Sequence, residues 1–125
     1  MTASNRRTLL LALWAVLIGC VVVGSLSPAQ SVLMEDIDKL DINDKVIHSC
    51  AYLTLSLFPV VVMESRRRGV KAGLSMFLLG VLLEGGQHFS PGRSVDYRDV
   101  LANGGGVLSG TLLGLWARDR VSKLL

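Results

Sequence analysis

Residues 46–63, VIHSCAYLTLSLFPVVVM, decide the fold. A helix of about 20 residues, rising 1.5 Å per residue, crosses a hydrocarbon core of roughly 30 Å. This run is nearly that long, and its one ionisable side chain beyond the weakly acidic Cys50 and Tyr52 is His48. Three similar blocks accompany it. Residues 8–26 carry no charge, and residues 100–117 carry no charge and one asparagine, Asn103. Residues 70–89 hold Lys71 at one end and Glu84, Gln87 and His88 toward the other. A soluble domain would spread its apolar residues at period two or 3.6. Here they come in blocks, in a chain of 125 residues that is 50% hydrophobic and 18% charged. The expectation is an all-α polytopic membrane protein, a single four-helix transmembrane domain over 1–125, with helices at about 8–26, 46–63, 70–89 and 100–117. Little chain remains for a soluble domain.

Charge orients the bundle. Arg6 and Arg7 precede the first block, Arg66, Arg67, Arg68 and Lys71 join the second to the third, and Arg118, Arg120 and Lys123 follow the fourth. These are nine of the 13 basic residues, and only Lys39, Lys45, Arg93 and Arg98 belong to the other side. The positive-inside rule then puts both termini in the cytoplasm. The acidic loop Glu35–Asp44 and the short loop Ser90–Asp99 face outward. A net charge of +3 reflects this topology and implies no nucleic-acid partner.

Arg6-Arg7, an apolar run and Ser27-Pro28-Ala29 also follow the order of a signal peptide. The run exceeds the usual 7–15 residues of such a segment, which favours a retained helix. Cys20 and Cys50 fall within apolar blocks as small core residues, without metal or disulfide spacing. Ala102, Gly106, Gly110 and Gly114 recur every four residues, a stripe that lets helix backbones approach closely in lipid. Packing within the bundle is the favoured use of that stripe, and homo-oligomer formation is the other. Pro59 is expected to kink its helix, with neighbours or water satisfying the freed carbonyl. Tyr97 and Trp116 stand near opposite ends of the fourth helix, as interface anchors do.

The polar residues among these blocks are the candidate site, because ionisable groups in lipid are costly. Asp44, His48 and Tyr52 share one helix face, as do Gly80, Glu84 and His88, with Gln87 adjacent. Asp96, Asp99 and Asn103 follow i, i+3, i+7. His48 and Asn103 lie about 6 Å inside their helix entries, and Glu84 about 7.5 Å. Three polar groups on three helices thus share one layer. Each has a plain structural role open to it. His48 and Asn103 can join helices by hydrogen bonds, Glu84 can pack as a neutral acid, and Asp96 or Asp99 can cap a helix. His88 reads as an ordinary interface residue. Those separate roles do not explain the convergence.

Asp44-Lys45-x-x-His48-x-x-x-Tyr52, Glu84-x-x-Gln87 and Phe89-x-Pro91-x-Arg93-x-x-Asp96-x-x-Asp99-x-x-x-Asn103-x-x-Gly106-x-x-x-Gly110 together resemble the VanZ-like family of small bacterial membrane proteins. The resemblance runs from about Asp44 to Gly114, and the first helix adds no motif. It implies a multi-pass protein of the bacterial inner membrane, in a family whose founding members are associated with resistance to teicoplanin. It carries over Asp44, Lys45, His48, Glu84, Gln87, Arg93, Asp96, Asp99 and Asn103 as family positions.

Two function classes follow. In the first, the polar layer at the outer leaflet grips the head of a lipid-linked envelope component, a glycopeptide or a partner helix without chemistry. Asp44, Lys45, Gln87, Arg93, Asp96, Asp99 and Asn103 are then ligand contacts. In the second, a membrane-embedded enzyme acts on a phosphate-bearing lipid-linked substrate, with His48 and Glu84 as candidate acid or base. Arg93 would hold the anion, and Asp96 and Asp99 a divalent cation bridging its phosphate oxygens. The absence of a nucleophile motif or a dedicated metal signature favours binding. Four short helices are few for alternating access, which ranks a transporter third.

Overall fold

The computed structural model describes residues 2–27, 44–92 and 96–121. They form four helices: α1 Ala3–Leu26, α2 Asp44–Val62, α3 Arg66–Gly86 and α4 Tyr97–Val121. A single 3-10 turn, Gln87–Phe89, extends α3. No strand occurs among the described residues, and all four helices are long and apolar enough to cross a membrane. All four helices begin before their apolar blocks, and α4 also outlasts its block. The Thr2 hydroxyl starts α1 early by accepting the Asn5 N–H at 3.1 Å. Arg118 and Arg120 lie inside α4. Apolar blocks mark the stretches suited to lipid, whereas backbone hydrogen bonding continues through arginines, which are good helix formers.

α2 is the central helix, packed against α1, α3 and α4. α2 and α4 run parallel, and glycines set their separation. A methyl group at Gly106 would collide with the Ser49 carbonyl oxygen, and one at Gly110 with that of Leu53. At Gly114 it would stand 2.8 Å from Val60 Cβ. Ser49 Oγ donates to the Ala102 carbonyl at 3.1 Å, so the whole stripe from Ala102 to Gly114 lies along α2. α3 has its own stripe, which the sequence reading did not single out. A Cβ at Gly69 would be 2.7 Å from the Pro59 carbonyl oxygen, and one at Gly73 would be 2.8 Å from that of Ser56. Small residues on both neighbours thus let α2 sit deep between α3 and α4.

Pro59 lies buried inside α2 and has no N–H, so the Leu55 carbonyl one turn earlier loses its intrahelical donor. The Trp14 indole Nε1–H of α1 fills that vacancy at 2.8 Å. This neighbour satisfies the freed carbonyl, at a net value of about 1 kcal/mol. It also fixes the rotation of α1, which has no buried residue of its own. At the far end of α2, Arg118 serves as more than a topological charge. Its guanidinium donates to the carbonyls of Val60, Met63 and Glu64 at 2.6–2.7 Å. A cation there complements the negative end of the helix dipole. No local spacing ties Arg118 to α2, so only the tertiary fold reveals this cap.

The two ends of the bundle differ in chemistry. Antiparallel packing of α1 and α3 against α2 and α4 gathers Arg7, Arg66–Arg68, Arg118 and Arg120 at one end. His48, Glu84, Asp96, Asp99 and Asn103 gather at the other. Tyr97 is exposed at the acidic end, and exposed Trp116 near the basic end lies under the Arg120 guanidinium at 4.3 Å. Such amphipathic rings suit the two membrane interfaces.

Candidate functional site

The site grows from three helix ends. α2 brings Lys45 and His48, α3 brings Glu84 and Gln87 at its last turn, and α4 brings Asp99 and Asn103 from its first turns. Glu84, Gln87, Asp99 and Asn103 are each no more than 6% exposed. Burying four such groups in one layer is costly unless they partner one another.

Asp96 organises the entry to α4. Its Oδ1 accepts the Arg98 N–H at 2.9 Å, and its carbonyl accepts that of Asp99 at 3.0 Å. This is the capping role open to it from the sequence. Its own N–H donates to Glu84 Oε1 at 2.7 Å, which ties the end of α3 to the start of α4. The Lys45 ammonium bonds Asp96 Oδ2 at 2.9 Å and also pairs with Asp99 Oδ1. The ammonium, and secondarily the Arg98 N–H, holds the Asp96 carboxyl below the usual carboxylate range.

His48 completes the layer. Its Nδ1 lies 3.0 Å from Asn103 Oδ1, an oxygen that can only accept. With the proton on Nδ1 the ring can donate to it, and Nε2 stands 3.8 Å from Asp99 Oδ2. Gly80 makes room for the arrangement. A Cβ there would stand 3.0 Å from Asn103 Nδ2 and 3.1 Å from Tyr52 Cε1. Tyr52 is 2% exposed and closes the floor beneath the polar layer with Leu55, Met76 and Val107.

The structure brings Lys45, His48, Glu84, Asp96, Asp99 and Asn103 together, and the three groups expected at one depth, His48, Glu84 and Asn103, are among them. Gln87 is buried in the 3-10 turn at the same end. His88 is exposed, edge-on to Phe89, and apart from the cluster. Arg93 lies outside the described residues, and so does the Asp44 side chain. The anion clamp expected of Arg93 is therefore not part of the geometry described. The divalent-cation reading of Asp96 and Asp99 meets a competitor, since the Lys45 ammonium occupies the position between them. Among the described residues no three His, Cys, Asp or Glu side chains converge as metal ligands. The sequence pattern singled out Lys45, but not its role as the bridge between the two aspartates. Fifty-one residues separate it from Asp96.

No protein-family model, curated protein or solved structure matches the chain.

Proposed function

We propose that this is a VanZ-like protein of the bacterial inner membrane whose polar layer binds the head of a lipid-linked envelope component at the outer leaflet. The observation that carries the reading is the part-buried network Lys45–Asp99–His48–Asn103, joined to Glu84 through Asp96. It combines an ammonium, an imidazole and three carboxyl groups in one layer at the end of the bundle away from the arginines. An altered susceptibility to teicoplanin-type glycopeptides is the phenotype the family resemblance implies.

The topology follows from the same charge separation, with both termini cytoplasmic. Membrane-impermeant thiol labelling of intact cells should reach a cysteine placed at Lys39 and miss one placed at Arg67. Labelling of both from outside overturns the topology.

Function should depend on the cluster more than folding does. Glu84→Gln keeps an oxygen that accepts the Asp96 N–H, and the Asn103 bond that His48→Ala removes is an interhelical bond of about 1 kcal/mol. Both variants are expected to insert and fold, yet to lose binding of a phosphate-bearing lipid-linked precursor. Retained binding in both would remove the cluster from the site.

The enzyme reading has one observation in its favour, the His48 Nε2 atom facing Asp99. Turnover of the precursor, abolished by Glu84→Gln, would select catalysis. Binding without turnover would select the accessory role.

A further inference from the structure

The basic end of the bundle contains a cavity of about 420 Å³. Ser4, Arg7, Thr8 and Leu11 of α1 form one wall, and Met63, Glu64, Ser65 and Arg68 form the other. It lies at the opposite end from the polar layer and takes no part in the function proposed above. Arg7 Nε is buried here with no hydrogen-bond partner among the described residues. A buried, unsatisfied guanidinium nitrogen is costly and calls for an acceptor.

The rest of the lining supplies what an anion needs. Arg68 adds a second guanidinium. Ser65 caps α3, its Oγ accepting the Arg68 N–H at 3.3 Å. The N–H groups of the first turn before Arg68 have no intrahelical partners, and the positive end of the α3 dipole points the same way. Ser4 and Thr8 contribute hydroxyls. Leu11 and Met63 form the apolar side, where an acyl chain would leave the head. Glu64 is the one opposing charge, so two guanidiniums and a helix terminus outweigh one carboxylate.

We propose that this cavity binds the phosphate of an anionic phospholipid headgroup in the leaflet at the arginine-rich end. Arg7 and Arg68 grip the phosphodiester from two sides, and Arg7 Nε donates the bond it otherwise lacks. Basic pockets between transmembrane helices at a cytoplasmic face select anionic heads on this principle. The lipid would also clamp α1, which is the least buried helix, to the α2–α3 turn.

The test is lipid titration of the purified full chain in neutral detergent, read by native mass spectrometry. Phosphatidylglycerol should bind about tenfold or more tightly than phosphatidylcholine. Inorganic phosphate at equal concentration should not compete. Loss of one charge-assisted contact should weaken phosphatidylglycerol binding about tenfold in Arg7→Gln and in Arg68→Gln. Glu64→Gln should strengthen it. Arg67→Gln, exposed and outside the lining, should leave it unchanged. Should Arg7→Gln fail to fold, Arg68→Gln and Glu64→Gln carry the test alone. Equal binding of the two lipids overturns the proposal. So does equal weakening by Arg67→Gln, which would indicate diffuse surface charge. Full competition by inorganic phosphate would show a phosphate site with no part for the lipid.

Discussion

Gly110→Leu is expected to disrupt the bundle, with a loss of about 3 kcal/mol or more, at the upper end of overpacking effects. The reason is geometric. The added Cβ would collide with the Leu53 carbonyl oxygen, and backbone cannot swing aside as a long side chain can. Relief requires α2 and α4 to part along the Ala102–Gly114 stripe, which also separates Ser49 from Ala102 and His48 from Asn103. Gly105→Leu supplies the control, because a Cβ at Gly105 meets nothing within 4 Å. Thermal unfolding in detergent should show a large drop for Gly110→Leu and little change for Gly105→Leu. Equal melting of the two would mean that α2 and α4 are not in close contact.

Lys45→Met is expected to have the second largest effect. It leaves Asp99, 6% exposed, without the ammonium that pairs it. An exposed pair contributes about 0.5 kcal/mol, and breaking a buried one costs about 3–5 kcal/mol. The Lys45 side chain is 35% exposed, so the loss should fall between these, at about 2 kcal/mol. Asp99→Asn should cost less, since Lys45 keeps Asp96 and access to solvent. The double variant should be more stable than Lys45→Met alone, because no charge then remains buried without a partner. That order of stabilities is readable from unfolding midpoints. A double variant less stable than Lys45→Met would show that Asp99 is held by something other than Lys45.

How much of this was legible in the sequence depends on the range of each interaction. Helix number followed from the apolar blocks. Helix ends did not, because α4 carries Arg118 and Arg120 past the apolar block as readily as apolar residues. The stripe on α4 was visible because four small residues keep a spacing of four. The stripe on α3 was obscured by Met76, which interrupts the small residues between Gly73 and Gly80. The shared layer of His48, Glu84 and Asn103 followed from counting residues inward at a fixed rise. The partners within that layer did not, since a depth fixes no azimuth. Thus Asp96 as cap was one of two choices, and Lys45 as the bridge between aspartates had no local signature. Trp14 and the Leu55 carbonyl make the same point. Pro59 announced a carbonyl in need, and only the packing of α1 identified the donor.

The central claim is that the polar layer receives a charged head and does more than hold the helices together. A high-resolution structure of the protein purified with native lipid tests it most directly. The expected result is density for a phosphate-bearing head among Lys45, His48, Asp99 and Asn103, with its acyl part on the outer surface of the bundle and outside the glycine-packed α2–α4 seam. A layer closed to any head, with each of these side chains satisfied by its neighbours, water or the intervening loops alone, would contradict the claim and make the cluster part of the scaffold.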